Sequence, residues 1–185
     1  MKSFIIFIVI LLTSCLNAQE SNSSTLPKTE LEKFSSKRGV LFVKDFYKMD
    51  EISGRYGIME ISVVNVYEPG NEKTGKMGMR IEIKEGQKDK TSLLDYDEAE
   101  SFLKACEYFE NTVRKWHSIK KEYSEFKFST KDDFEFILFN EDDNLSFAAT
   151  SGDIYRTTCF LDIDKIGQIK AAIQKGLDKI KSLKV

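Results

Sequence analysis

The chain has 185 residues, with 28 Lys and Arg against 30 Asp and Glu, and a net charge of −2. This near-balance excludes a chain that is drawn as a whole towards nucleic acid or anionic lipid. Aromatic residues make up 12% of the sequence and include fourteen Phe. The roughly 150 residues after the N-terminal region therefore suit a single domain with a Phe-rich core.

The first 14 residues have the pattern of an export signal. Lys2 supplies a positive charge, and Phe4–Leu12 is an apolar run of nine residues, too short to span a bilayer as a helix. The residues that follow, Leu12-Thr13-Ser14-Cys15, resemble the lipobox of bacterial lipoproteins. This resemblance implies cleavage before Cys15, acylation of its sulfur and anchoring of the mature chain to a membrane of the cell envelope. Ser14 departs from the pattern, in which Gly or Ala is commoner at that position.

Ordinary signal cleavage is the alternative that the same residues leave open. A cut near Ala18 or Gln19 would discard Cys15 and release a soluble periplasmic or secreted protein. Leu16 is a poor fit to the small residue expected three positions before such a cut. The sequence therefore favours an exported, lipid-anchored protein.

Residues 15–37 are predicted to form a flexible tether, because Asn, Gln, Ser and Thr dominate its first part and leave little to bury. Within it, Thr29 and Glu32 have the spacing of a capping box, which predicts one short helix over Thr29–Ser36. A single folded domain is predicted to follow over residues 38–185.

The first half of this domain, residues 38–119, has strand patterns separated by turn residues and ends in a helical pattern. Met77–Lys84 alternates apolar with polar residues, which indicates a strand with one packed side and one solvent-facing side. Glu68–Gly75 is predicted to be a loop. The predicted elements are strands over Val40–Met49, Tyr56–Tyr67, Met77–Lys84 and Thr91–Leu94, and a helix that runs to about Ile119.

The second half, residues 120–185, repeats this order of elements. Its predicted strands are Tyr123–Ser129, Phe134–Asn140, Leu145–Thr150 and Ile154–Leu161, and a helix follows. Short turns between such strands require antiparallel neighbours. The predicted fold class is therefore α+β, with antiparallel sheets and two helices in a pseudo-duplicated β4-α-β4-α order.

A short sequence repeat marks the start of both predicted helices. Leu93–Ala99 aligns with Phe160–Ile166, and the alignment pairs Asp95 with Asp162. Both aspartates stand where an N-cap is expected, and a second Asp follows each of them in the first turn. Metal ligands or paired acid–base carboxylates are the alternative, but capping explains both the position and the repetition. We therefore predict that Asp95 and Asp162 are helix caps and that no metal is bound there.

The order of elements and the two Leu-Asp-x-Asp helix starts are similar to those of the PUR-alpha and Whirly group of single-stranded nucleic-acid-binding folds. The resemblance covers residues 38–185 and implies two four-stranded sheets, possible side-by-side packing of those sheets, and binding of single-stranded nucleic acid as an alternative function. Cations and an aromatic residue on the solvent-facing sides of the predicted sheets would supply that surface: Arg80, Lys84, Lys127, Lys131, Arg156 and Tyr155. Glu82, Glu125 and Glu135 on the same strands oppose it, as does export.

Catalytic and metal-binding patterns are weak. The single histidine, His117, lies near the end of the first long helix, where a surface or dipole-complementing role is commoner than catalysis. The acidic turn 141–144 lacks the EF-hand pattern and is interpreted as a solvated turn. Cys106 and Cys159 could form a disulfide in an exported chain, or Cys106 could be a buried free thiol on the apolar helix face. We predict no catalytic residue, no metal and no cofactor.

The sequence thus predicts an exported, lipid-anchored and non-enzymatic envelope protein that is a binding or structural module, with an unknown protein or envelope partner. The working surface is expected at the Glu68–Gly75 loop and on the exposed strand faces, with Arg80, Tyr155 and Arg156 as candidate binding residues. An exposed aromatic or Met patch there would favour a binding module. A charge-mixed face would favour a structural role.

Overall fold

The structure, a computed structural model, describes residues 26–119, 122–141 and 144–184. The predicted signal peptide and Cys15 lie outside the described residues. The helices and strands, numbered in chain order, are α1 (Glu30–Ser35), β1 (Val43–Ser53), β2 (Ile58–Tyr67), β3 (Lys76–Glu85), β4 (Lys88–Leu94), α2 (Tyr96–Ile119), β5 (Glu125–Ser129), β6 (Glu135–Glu141), β7 (Asn144–Ser151), β8 (Thr157–Asp162) and α3 (Ile166–Leu183). Two short 3₁₀ turns lie at Glu72–Thr74 and Ile163–Lys165.

The fold is α+β with a repeated four-stranded sheet unit, as predicted. One antiparallel sheet has the order β1-β2-β3-β4, and the other has the order β5-β6-β7-β8. Because the strand orders are the same, the structure agrees with a duplicated unit. The main differences from the predicted bounds are at β1, which extends to Ser53, at β4, which begins at Lys88 rather than Thr91, and at β8, which begins at Thr157 rather than Ile154.

The two long helices are exchanged between the halves. Although α2 follows the first sheet in sequence, its Phe102 stacks on Phe128 of the second sheet with 5.1 Å between ring centroids. In turn, α3 packs on the first sheet, where a Cβ added to Gly176 would lie 2.4 Å from Met79 Cε and 3.5 Å from Val63 Cγ2. Each helix therefore covers the sheet of the other half, and the inner faces of both sheets form one continuous core.

The short helix α1 covers part of the outer face of the first sheet. Thr29 accepts the N–H of Glu32 and the Glu32 carboxylate accepts the N–H of Thr29, so the predicted capping box and short helix are confirmed. Leu31 is buried against Val64 and Val66 of β2. This contact attaches α1 to the first sheet.

Asp95 and Asp162 occupy the predicted N-cap positions, but the prediction that their carboxylates cap the helices that follow them is wrong. The Asp95 carboxylate accepts the N–H of Glu30 in α1 at 3.0 and 3.1 Å, while Glu98 accepts the Asp95 N–H as half of a capping box. Asp162 makes no side-chain cap; its carboxylate pairs with Arg55 at 3.3 Å. The carboxylates that local spacing assigns to a helix N-terminus are therefore bound by groups far away in the chain: the N–H of Glu30 for Asp95, and the guanidinium of Arg55 for Asp162.

Both described cysteines are buried free thiols, so the disulfide alternative is not formed. Cys106 lies on the buried face of α2, as predicted. Burial raises the pKa of Cys159 to about 11 and raises that of Cys106 further. A thiol that remains protonated at neutral pH is a poor nucleophile.

A half-buried carboxylate at the β5–β6 turn is expected to make the stability of the protein depend on pH. Asp132 accepts the N–H of Leu93 at 2.7 Å. Burial, together with the nearby Glu32 and Asp133 carboxylates, raises the pKa of Asp132 to about 6. Because this lies above the unfolded value of about 3.9, the folded state holds more protons between about pH 4 and 6. The free energy of unfolding should therefore fall as pH rises through that window.

Replacing Asp132 with Asn is expected to remove this fall of the free energy of unfolding between about pH 4 and 6. It is also expected to raise the free energy of unfolding at pH 7 by about 1–2 kcal/mol. The amide oxygen can still accept the Leu93 N–H, whereas the charge that burial disfavours is lost. Urea denaturation at pH 4, 5, 6 and 7 measures the effect. Asp178→Asn is the control, because this exposed carboxylate lies on α3 and accepts a hydrogen bond from Gln174 at 3.0 Å; the change should give no gain. An unchanged slope in Asp132→Asn would contradict the prediction.

Candidate functional site

The predicted binding residue Arg80 lies on the outer face of the first sheet, within a network of ion pairs. Its guanidinium lies 2.7 Å from Glu82 and 3.7 Å from Glu60. Lys84 pairs with the same two carboxylates at 2.9 and 3.3 Å. This part of the face is therefore charge-mixed, and its cations are already neutralised.

Tyr155 and Arg156 lie in the turn before β8. They line one surface depression, and Arg80 lines another. Tyr155 is 79% exposed, whereas Arg156 donates to Glu135 at 2.9 Å and to the carbonyl of Asp153. The structure therefore does not bring the three predicted residues into one site. Of the other predicted cations, Lys127 also pairs with Glu135, and Lys131 pairs with Asp95, Asp97 and Glu98.

A cleft that the sequence analysis did not identify lies on the outer face of the second sheet. Its volume is about 630 Å³, and the turn between β1 and β2 forms one wall. We call this site the aromatic cleft. Its lining residues are Arg55, Tyr56, Glu122, Tyr123, Phe139, Asn140, Ser146 and Phe160. It thus combines four aromatic rings with a few polar groups, which is the composition of many ligand-binding pockets.

The β1–β2 turn is clamped against β8. The N–H of Arg55 donates to the carbonyl of Phe160 at 2.7 Å, and the N–H of Gly54 donates to the carbonyl of Gly57 at 2.9 Å. Tyr56, between them, has a φ of +67° and its side chain is 84% exposed. This left-handed conformation costs a residue with a side chain about 1–2 kcal/mol, and such residues cluster at functional sites.

The opposite wall is held in place by a buried amide. Asn140 accepts the N–H of Ser124 at 2.6 Å and donates to the carbonyl of Glu122 at 3.1 Å. These bonds fix the segment that carries Tyr123, which is 62% exposed. Its hydroxyl donates to Glu125, and this hydrogen bond together with burial raises the pKa of Tyr123. Tyr56 and Tyr123 therefore project from two separately anchored segments.

The floor of the aromatic cleft is apolar with a polar edge. Phe139 and Phe160 are 6.4 Å apart between ring centroids, with an interplanar angle of 73°. The Arg55 guanidinium donates to Ser146 Oγ at 2.9 Å and pairs with Asp162 at 3.3 Å, yet its side chain remains 53% exposed. The unused N–H groups of Arg55 can therefore donate to a ligand while the existing contacts hold the guanidinium in place.

No protein-family model matches this chain, and no curated protein matches its sequence. Across residues 26–119, 122–141 and 144–184, no helix is long and apolar enough to cross a membrane. The same part of the chain contains no group of three or more His, Cys, Asp or Glu side chains that could hold a metal ion. The side chain of His117 and the acidic-turn residues 142 and 143 lie outside the described residues.

Sequence reasoning missed the aromatic cleft because its walls are joined by contacts between distant residues. Gly54-Arg55-Tyr56-Gly57 has the composition of an ordinary turn, and its partner strand lies about a hundred residues later. One feature of the sequence could have indicated it. Phe139 and Phe160 occupy strand positions that alternate with buried residues, so their aromatic side chains must face outwards.

A second cleft, of about 550 Å³, lies beneath the Glu68–Gly75 loop that the sequence singled out. Asn65 lines it and is 7% exposed, and its amide oxygen is buried with no hydrogen-bond partner among the described residues. A Cβ added to Gly75 would lie 3.0 Å from that oxygen. Beside it, burial and a hydrogen bond with Asp45 raise the pKa of Tyr67. The unpaired oxygen is a source of instability in this part of the sheet.

Replacing Asn65 with Leu is expected to raise the free energy of unfolding by about 1 kcal/mol, because it removes a buried acceptor without a donor and adds apolar contacts. Urea denaturation at pH 7 measures the change. Asn65→Asp is the matched variant; it places a charge at the same buried point and should be less stable than the native protein. A loss of stability in Asn65→Leu would contradict the prediction.

Proposed function

We propose that this protein is an exported, non-enzymatic binding module of the cell envelope, anchored by a lipid on Cys15, and that it binds its ligand in the aromatic cleft. The observation that carries the proposal is the convergence of four aromatic rings on one open cleft, including Tyr56 in a strained backbone conformation. Exposed apolar surface of this kind, rimmed by polar groups, marks interaction sites in soluble domains.

The position of the aromatic cleft is compatible with such an anchor. In the first sheet, α1 covers Val66, whereas the β1–β2 turn lies beyond Ile58, about 25 Å along the same strand. In the second sheet, Lys28 pairs with Asp133 before β6, and Phe139 lies about 20 Å further along that strand. A chain tethered through the segment before Lys28 would therefore present the aromatic cleft away from the anchoring surface.

Binding of single-stranded nucleic acid remains the alternative function, and the aromatic rings on a sheet face are the observation in its favour. Affinity for a polyanion depends on cations that are free to neutralise phosphates. Among the predicted cations, Arg80, Lys127 and Arg156 are each paired with carboxylates. This arrangement favours a ligand that is not a polyanion.

The anchor is tested by the intact mass and membrane partitioning of the native protein and of a Cys15→Ala variant. We expect an acyl mass increment and membrane association that are both lost in the variant. An unacylated chain that begins near Gln19 would contradict the anchor and would place the protein in solution.

The binding site is tested in the native host with a photo-crosslinking residue, benzoylphenylalanine, at position 56. Position 155 is the matched control, because Tyr155 is similarly exposed, at 79% against 84%, but lies outside the aromatic cleft. We expect adducts from position 56 that are absent from position 155. Equal labelling at both positions, or none at position 56, would contradict a binding role for the cleft and favour a structural one.

A further inference from the structure

We infer that the ligand of the aromatic cleft is a neutral saccharide chain. The inference rests on the proposed function, since it assigns a chemical class to the ligand of the same site. Three features of the cleft carry it: its charge balance, the part of the sheet from which it is built, and the pairing of ring faces with hydrogen-bonding side chains.

The charge balance disfavours a polyanion. Arg55 is the cation among the lining residues, and the carboxylates of Asp162, 3.3 Å away, and Glu122 oppose it. The cleft therefore has no excess of positive charge, and binding of a phosphate chain would gain little from counterion release. Binding of a neutral ligand does not depend on counterion release.

The construction of the floor disfavours an extended peptide. Peptides that add to a sheet need an edge strand with free backbone groups. Here the floor is a sheet face, where Phe139 faces Ser146 across the β6–β7 pair. At the nearby β8 edge, the carbonyl of Phe160 already accepts the N–H of Arg55. A peptide lying in the cleft would find side chains but few backbone partners.

The side chains match the two kinds of surface that a sugar ring presents. The C–H groups on one face of a pyranose can pack on the electron-rich faces of aromatic rings, and Tyr56 and Tyr123 supply such rings on opposite walls. Sugar hydroxyls both donate and accept, so they can bond to the guanidinium of Arg55 and to the exposed carboxylate of Glu122. A volume of about 630 Å³ lies within the range of small-molecule sites.

The inference is tested by isothermal titration calorimetry on the full chain in a mild detergent. The probes are cellohexaose, maltohexaose, laminarihexaose and hexa-N-acetylchitohexaose, all neutral, with dodecathymidylate as the polyanion. We expect at least one hexasaccharide to bind and its Kd to change less than about twofold between 0.05 and 0.5 M KCl, since no ion pairs form. Tyr56→Ala and Tyr123→Ala are each expected to weaken binding about tenfold or more, and Tyr155→Ala is expected to leave it unchanged.

Failure to bind any of the four hexasaccharides, or binding that survives both cleft substitutions in folded protein, would overturn the saccharide assignment. Salt-sensitive binding of dodecathymidylate that depends on Tyr56 would overturn it in favour of nucleic acid. Circular dichroism of each variant establishes that it is folded; both tyrosines are exposed, so little loss of stability is expected. Crosslinked adducts at position 56 without saccharide binding would leave the proposed function in place and reject only its ligand.

Discussion

Replacing Phe102 with Ala is expected to lower the free energy of unfolding by about 3–5 kcal/mol. Its side chain is fully buried in the second turn of α2. Besides stacking on Phe128, its ring lies 5.2 Å from that of Phe134 and 5.4 Å from that of Phe136, both in edge-on geometry. Truncation removes these ring contacts and leaves a cavity that rigid sheet residues cannot fill. Because domains are stable by about 5–15 kcal/mol, a loss of this size is a large part of the total stability.

Urea denaturation followed by far-ultraviolet circular dichroism measures this effect. Phe46→Ala is the matched control, because Phe46 has the same side chain but is 56% exposed on the first sheet; its loss should stay below about 1 kcal/mol. Similar losses in the two variants would contradict the packing described above.

Replacing Gly54 with Ala is expected to lower the free energy of unfolding by about 1–3 kcal/mol and to displace Tyr56 from the aromatic cleft. The added Cβ would lie 2.3 Å from the carbonyl oxygen of Phe160 and 2.7 Å from Cys159 Sγ. A backbone oxygen cannot rotate out of the way, so the turn must move. That movement breaks the hydrogen bond from Arg55 to Phe160, which holds the turn against β8.

Gly167→Ala is the matched control, because a Cβ there meets no other atom within 4 Å. In helix α3 this change should raise the free energy of unfolding by up to about 1 kcal/mol. Urea denaturation compares the two variants, and hydrogen exchange at the Arg55 amide reports on the clamp. A Gly54→Ala variant that is as stable as the native protein, with a protected Arg55 amide, would contradict the prediction.

The two sheet faces meet different criteria for function. Around Arg80 the first sheet has the charge-mixed surface expected of a structural role, with each carboxylate shared between cations. The second sheet exposes Phe160 beside Tyr56 and Tyr123, which is the aromatic patch expected of a binding module. The first face exposes Phe46 beside its paired charges, whereas the second gathers four aromatic rings in one cleft. This difference is the reason for placing the proposed site on the second face.

Much of the fold could be predicted from the sequence, because local patterns report which side of an element is buried. The alternation in Met77–Lys84 places Met79 and Ile81 in the core, as the structure confirms. The apolar period of α2 likewise places Phe102 and Cys106 on its buried face. Short turns then required antiparallel pairing, so the sequence by itself determined the α+β class and the repeated four-stranded unit.

Only the tertiary structure decided which surfaces meet. A helical period states that Phe102 is buried but not that its partners belong to the sheet of the other half. Cap spacing places Asp162 at a helix start, yet its carboxylate pairs with Arg55 from a distant turn. The aromatic cleft has the same origin, since Arg55 and Phe160 meet through a backbone hydrogen bond between segments far apart in the chain. Periodicity is a property of neighbouring residues, whereas the partner of a face is chosen by the packing of the whole domain.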